Sequence, residues 1–464
     1  MVDTGSPGFG IKFTSGGAFH REVDEQVKRL LADRALVRRA YLALWLKALM
    51  VLLWVATSYA LLVFVAAGPL QALACSLSLG LAAAGIGFTI MHDANHQAFA
   101  RRRRVNRVMA LSLDLIGGSS YVWSAKHLAH HTYPNVTEHD PDIDSLPFAR
   151  FDPAQRHRPW HRYQHIYIWA LYGVVTVRWQ FLSDFAFLAR RRAGRSPLRW
   201  PRGGTLATLI AGKGAFLVWA FVIPLLLHPL LTVLAFFLVT SVVASLALAL
   251  VFQLSHCVVE AEFVDPGGDR AENPLPSWQI HQVESTVDFA RGNRLLRLYA
   301  GGLNHQVEHH LYARLPHTLY PRIAAIVEAS ARAHGVRYTH LPTFRQALRS
   351  HMNWLKLMGA APATPPPEVP PHADLTTAPG APNRSALNGD RLATMRVMIF
   401  TAPVGAGHNA AAAPLGHDLT SRGHRVEIVD GLALLGIERL VVGSYRFQIL
   451  HAGWSWRLLY RMTR

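Results

Sequence analysis

The sequence predicts an all-α integral membrane protein with four transmembrane helices in two hairpins, a cytoplasmic helical cap and a small Rossmann-like α/β fragment at the C-terminus. Three observations lead to this fold class. Of the 464 residues, 51% are hydrophobic. They are concentrated in four runs of about 20 residues, the length that a helix needs to cross a bilayer. Arginine clusters flank these runs, as expected where a chain leaves the lipid.

The four apolar runs form two pairs, each joined by a short turn. The first pair covers about 45–67 and 70–91, and the second covers 206–227 and 230–252. Each pair predicts a helical hairpin in the bilayer. The shorter apolar segments 109–123 and 163–187 carry charged residues. We interpret them as interfacial or re-entrant helices, with additional spans as the alternative.

Basic residues set the predicted orientation. They occur in the N-terminal segment 1–40, after the second run at Arg101–Arg104 and before the third run at Arg190–Arg192, whereas the two tight turns contain no Lys or Arg. The positive-inside rule therefore predicts that both termini and the long middle segment are cytoplasmic. The net charge of +18 is assigned to an anionic membrane surface and not to nucleic acid.

The composition changes after residue 358. Eight prolines occur between Pro362 and Pro382, so 359–394 is predicted to be a flexible Pro-rich linker. Residues 395–464 begin with a strand, a Gly-rich turn, a helix and a second strand, which is the opening of a Rossmann-like unit. The membrane domain is accordingly expected to span 41–358.

Metal-binding capacity in this chain depends on histidine, because the sequence has 25 histidines and only 2 cysteines. Histidine-containing motifs occur where the second and fourth apolar runs end, in "KHLAHH" of the middle segment, and in "IHQVE" and "QVEHH" after the last run. The candidate ligands are His92, His96, His127, His130, His131, His256, His281, His309 and His310. Zinc takes four ligands, so eight or nine imidazoles imply two metal ions. Nitrogen ligands suit iron, copper or zinc, and the setting at a membrane surface favours iron.

The motifs "HDANH", "HLAHH" and "QVEHH" resemble the three histidine boxes of membrane fatty acid desaturases. Gln306, which opens the third box, resembles the front-end subgroup, the delta-six or linoleoyl-CoA type. The resemblance covers about residues 10–355 and implies a di-iron centre held by the nine histidines above, His281 included. Asp93, Asp140, Gln306 and Glu308 are candidate supporting residues that orient the ligands. Helix caps and turns are the alternative role for the aspartates. His305 is interpreted as a neighbour and not as a ligand.

The same resemblance implies an oxygen-dependent enzyme that inserts a cis double bond into a membrane-associated acyl chain. The cofactors would be two iron ions and O2. Because no His-Pro-Gly-Gly haem signature is present, electrons would come from an external ferredoxin or flavin reductase. CoA, acyl carrier protein and a glycerolipid are the three alternatives for the acyl carrier. A hydroxylase on the same scaffold is the nearest alternative, and a histidine-rich metal transporter is disfavoured because the histidines lie at span ends.

The C-terminal segment carries a second resemblance. The strings "GAGHNAAAAPLGHDL" and "HAGWSWRLLYR" are similar to the N-terminal lobe of diacylglycerol galactosyltransferase-type enzymes, so 395–464 is interpreted as a truncated glycosyltransferase-like fragment. A nicotinamide site at Gly405, Gly407 and Ala410 with Asp430 is the alternative. A single strand–helix–strand unit is too small for a dinucleotide domain.

Overall fold

A computed structural model of the chain describes residues 11, 13–266, 275–361, 396–401 and 425–430. The chain divides into two compact units, 1–366 and 367–464. The described part of the first unit is mostly helical. Its strands are two-residue pairs: Arg192–Ala193 runs antiparallel to Ser196–Pro197, and Asp288–Phe289 runs parallel to His340–Leu341.

Four helices of the described residues are long and apolar enough to cross a membrane: span 1 (Arg34–Val65), span 2 (Pro69–Asn95), span 3 (Gly203–Leu225) and span 4 (Leu230–His256). They coincide with the four predicted runs. Span 1 begins earlier than the expected residue 45, because the Asp33 side chain accepts hydrogen bonds from the Ala35 and Leu36 backbone amides and caps the helix there. Hydropathy detects the stretch of a helix that is embedded in lipid, so it misses this basic first part.

Spans 2 and 4 pack closely along their length. A Cβ atom at Gly80 would lie 2.6 Å from the Thr240 carbonyl oxygen of span 4, and one at Gly87 would lie 2.7 Å from Leu248. Small residues at these two positions therefore allow the helices to approach each other. The α-helix of span 2 changes to a π-helix at Ile86–Met91, directly before His92. Such a π-helical turn rotates the side chains that follow it.

The remaining described helices lie before, between and after the two hairpins in the chain. A hydrophobic core joins Phe19 and Val27 to Val307, Ile323 and Val327, so it fixes the segment that contains the third histidine box. The α-helices outside the spans are Ala18–Ala32, Arg103–Ala110, Ser112–Leu115, Ser120–Thr132, Gln164–Gly173, Val175–Arg178, Asp184–Arg190, Trp278–Glu284, Arg294–Tyr299, Gln306–Tyr312, Tyr320–Ala333 and Phe344–Gly359. The 3-10 and π-helices outside the spans are Pro159–Tyr163, Trp179–Ser183 and His317–Leu319.

The described part of the second unit consists of two strands. Arg396–Thr401 and Arg425–Asp430 pair in parallel, with Arg396 opposite Arg425. Both strands were predicted from sequence. The expected Gly-rich turn and helix between them lie outside the described residues, as does most of the expected linker 359–394, so the Rossmann-like assignment stays a prediction.

Candidate metal centre

A first histidine group forms where span 2 ends. It consists of His92, His96, His127 and His309, whose ligand-capable nitrogen atoms all lie within 4.8 Å of one another. His127 comes from helix Ser120–Thr132 and His309 from helix Gln306–Tyr312. His131 adjoins this group, since its Nε2 atom lies 3.1 Å from His127 Nε2 and 2.9 Å from His309 Nε2. All three histidine boxes thus contribute to one cluster.

A second histidine group, His130, His256 and His310, lies beside the first. The ring of His310 stacks on that of His131, with the centroids 4.2 Å apart, so the two groups are neighbours. The side-chain amide of Gln306 lies 2.9 Å from His256 Nε2. The second group therefore contains three imidazoles and one adjacent amide, whereas the first group together with His131 contains five imidazoles.

Burial favours the neutral form, which a metal ligand requires, for three members of the first group. Burial, reinforced by neighbouring imidazoles, lowers the pKa of His96, His127 and His309 well below the ordinary value. The pKa values of His131 and His310 are lowered in the same way. Such a cluster would lose its ligand character if several members were protonated.

Three ligand candidates are oriented by a partner on their outer nitrogen. His130 Nδ1 lies 2.9 Å from Asp140 Oδ2, and His310 Nδ1 lies 2.7 Å from Gln282 Oε1. His309 Nδ1 lies 3.2 Å from the Tyr320 hydroxyl. A partner on Nδ1 fixes the tautomer and directs the Nε2 lone pair inward. Burial lowers the pKa of His130, but the Asp140 carboxylate outweighs it and raises that pKa above its usual value.

These side chains fit a pair of metal ions. Within the described residues, the Nε2 atoms of His96, His130 and His310 are buried without a hydrogen-bond partner. An unsatisfied buried nitrogen costs about 1–3 kcal/mol, and a bound metal ion removes that cost. The convergence of these unpaired nitrogens on two adjacent groups is what a two-metal centre requires.

The two aspartates predicted to orient the ligands make different contacts in the structure. Asp140 contacts a candidate ligand as expected. The Asp93 carboxylate instead lies 2.8 Å from His317 Nδ1, while its other oxygen is 3.9 Å from His92 Nδ1. His317 Nε2 in turn lies 3.0 Å from Lys47 Nζ. Sequence reasoning missed His317 and Lys47. A lysine inside an apolar run was the available signal, because a charge there needs a partner.

Among the described residues, Glu308 has no hydrogen bond to an imidazole. Its Oε1 atom lies 3.0 Å from the Tyr338 hydroxyl, and its contact with His305 Nδ1 is 3.7 Å, too long for a hydrogen bond. The role expected for Glu308, orienting a ligand directly, has no contact to support it.

His281 is not brought into either histidine group of the described residues. It is buried, and its ring lies 5.6 Å from that of Phe13. Adjacent residues of a helix point about 100° apart, so on helix Trp278–Glu284 the following residue, Gln282, reaches His310 instead. The expectation that His281 is a ninth ligand stays a prediction, and the residue of this helix that contacts His310 is Gln282.

Four membrane-length helices and two adjacent histidine groups define an integral membrane protein with a candidate two-metal centre. The sequence model of the family named fatty acid desaturase matches residues 67–342. The chain belongs to the fatty acid desaturase family, and it is a fatty acyl desaturase, an oxidoreductase.

Relatives of known function support the same conclusion. The chain is 32% identical over 354 residues to the sn-1 linoleoyl-lipid 6-desaturase of Synechocystis sp., covering 76% of this chain and 98% of the relative. It is 33% identical to the enzyme of the same name from Arthrospira platensis, covering 76% and 96%. It is also 33% identical to the acyl-lipid (8-3)-desaturase of Physcomitrium patens, covering 74% and 72%. These relatives are front-end desaturases, so the hydroxylase and transporter alternatives lose their support.

Proposed function

We propose that the two histidine groups hold two iron ions. One iron would be bound by His92, His96, His127, His131 and His309, and the other by His130, His256 and His310. When bound, this centre supplies O2-dependent removal of two hydrogens from adjacent acyl carbons. The observation that carries the proposal is the convergence of eight imidazoles, seven of them buried and His96 half-buried, on two adjacent groups, several with unpaired inward nitrogens.

The surrounding residues hold the imidazoles in place and exclude water. Asp140, Gln282 and Tyr320 fix the tautomers of His130, His310 and His309 through the contacts described above. Gln306 stands beside His256 where other desaturases carry a histidine. We infer that the second iron has fewer imidazole ligands than the first, because an amide is a weaker ligand than imidazole.

The substrate that we propose is an acyl chain on a membrane lipid. Two relatives are named sn-1 linoleoyl-lipid 6-desaturase, which favours a linoleoyl group attached to a glycerolipid and a new double bond at carbon 6. An apolar cavity of about 470 Å³ has the character that an acyl chain requires, although its lining includes the tight turns at Gly68 and His228 and none of the eight histidines. It lies between all four spans, and Leu62, Leu79, Phe216 and Phe237 are among the residues that line it.

The active site is proposed to face the cytoplasm, with both termini on that side, and to receive electrons from an external ferredoxin or flavin reductase. The arginine distribution supports this orientation. We further propose a desaturase domain at 41–358, followed by the linker 359–394 and a glycosyltransferase-like fragment at 395–464 without a catalytic contribution.

Expression in a host of defined lipid composition tests the proposed function. The wild-type chain should produce a lipid-bound fatty acid with a new double bond at carbon 6, located by mass spectrometry of the intact lipid. His309→Ala at matched expression is the control and should give no product. An oxygen-containing product would contradict the proposed reaction, and a double bond at another carbon would contradict the proposed position.

A further inference from the structure

A buried cluster outside the two histidine groups brings two carboxylates and an imidazole together. Asp288, His305 and Glu308 each offer one ligand atom, and these atoms all lie within 4.8 Å of one another. Asp288 lies in a short strand, while Glu308 lies in helix Gln306–Tyr312 and His305 caps that helix. We call these three residues the acidic pocket. It connects the strand to the helix that carries His309 and His310.

Several polar atoms of the acidic pocket lack a partner. Both ring nitrogens of His305 and the Oε2 atom of Glu308 are buried without a hydrogen-bond partner in the described part of the chain. His305 is 2% exposed, and Asp288 and Glu308 are both 0% exposed. Each unsatisfied group costs about 1–3 kcal/mol, and more when it is charged. An additional atom bound between these side chains would give the unpaired nitrogens and oxygen a partner and so remove this free-energy cost.

The charges around the pocket do not balance. The Tyr338 hydroxyl lies 2.7 Å from Asp288 Oδ2 and 3.0 Å from Glu308 Oε1, but it has one proton and can donate to only one of them. The nearby Arg291 guanidinium bonds the Tyr338 oxygen and also pairs with Glu328 at 2.8 Å. Glu328 also pairs with Arg332 at 3.5 Å, and in the described part of the chain neither guanidinium bonds Asp288 or Glu308 directly. The two carboxylates of the acidic pocket therefore need either a proton or a cation.

The distances suit a cation better than direct hydrogen bonds. His305 Nδ1 lies 3.9 Å from Asp288 Oδ2 and 3.7 Å from Glu308 Oε2, which is too long for hydrogen bonds. Two ligands of a transition metal are about 3–4 Å apart, since each metal–ligand bond is about 2.0–2.2 Å long. A donor set of one imidazole and two carboxylates suits zinc or another divalent transition ion, and it is unlike the all-oxygen sets of Ca²⁺ and Mg²⁺.

We propose that Asp288, His305 and Glu308 form a third metal site, which binds one divalent transition ion such as Zn²⁺. The ion neutralises the two buried carboxylates and binds one of the two unpaired nitrogens of His305. Its role is structural, because it fixes the strand of Asp288 to the helix of His309 and His310. This site is separate from the proposed di-iron centre, and its occupancy does not depend on iron.

Metal analysis of the full-length purified protein tests the proposal. Wild type and His305→Phe are equilibrated with Zn²⁺, freed of loosely held ions by gel filtration and analysed for zinc and iron by mass spectrometry. Wild type should contain three metal ions per chain in total, and His305→Phe one fewer, with its iron content unchanged. Asp288→Asn, which keeps the side-chain size, should lose the same ion. His139→Phe alters a buried histidine outside the metal-capable groups and should lose none.

The outcomes separate this proposal from the di-iron assignment. If the histidine groups do not hold two irons, the total falls, but the difference of one ion between wild type and His305→Phe persists. If the His305→Phe and Asp288→Asn proteins contain as many metal ions per chain as wild type does, the third site is refuted. Asp288 and Glu308 then share a proton instead.

Discussion

Gln282→Leu tests how the second histidine group is organised. The Gln282 side chain is fully buried, and its Oε1 atom accepts a hydrogen bond from His310 Nδ1 at 2.7 Å. Leucine fills a similar volume without an acceptor, so the His310 ring loses its fixed tautomer. Removing such an outer partner typically lowers metal affinity by about 10–100-fold, equivalent to about 1.4–2.7 kcal/mol. We expect Gln282→Leu to lose iron faster than wild type does.

The assay is iron retention in purified protein during a timed chelator challenge, measured together with turnover. Gln282→Glu is the matched control, because it keeps an oxygen acceptor and should retain iron better than Gln282→Leu. His281→Ala is the competing variant. It removes a side chain packed near Phe13, so it should keep its iron. The reasoning is refuted if His281→Ala loses iron as severely as His309→Ala while Gln282→Leu matches wild type.

Three further predictions concern other parts of the chain. His130→Ala should abolish turnover while membrane insertion, measured by carbonate extraction, stays normal, because insertion depends on the spans; a soluble variant would contradict this. Lys47→Met should lower the unfolding temperature in detergent, because the buried His317 Nε2 loses its partner at 3.0 Å. The unpaired nitrogen costs about 1–3 kcal/mol of folding free energy, and an unchanged unfolding temperature would contradict this role of Lys47. Truncation after Ala361 should preserve desaturation, whereas truncation after Met358 should destabilise the protein because the Gly359 carbonyl accepts a hydrogen bond from His157 at 3.0 Å. Equal stability of the two truncated proteins would contradict this role of the Gly359 carbonyl.

The features that the sequence reveals are those with a local pattern. Apolar runs of membrane length predict all four spans, and the spacing of His127, His130 and His131 follows the period of a helix. The structure confirms the four membrane-length helices. It also brings eight of the nine predicted ligands together in two adjacent groups.

The features that the sequence does not reveal depend on long-range packing or on helix rotation. Lys47 and His317 are 270 positions apart, so no local pattern connects them. The choice between His281 and Gln282 depends on which side of a short helix meets His310, and both residues can bind or orient a ligand. The acidic pocket was missed for a similar reason, since Asp288 joins His305 and Glu308 only through tertiary packing.

Iron content per chain tests the central claim most directly. Gently purified wild-type protein should contain two iron atoms per chain, and His256→Ala, which removes one imidazole of the second group, should contain about one. A wild-type content of one iron, or an unchanged content of two in both His256→Ala and His309→Ala, would contradict the assignment of the two histidine groups as a di-iron centre.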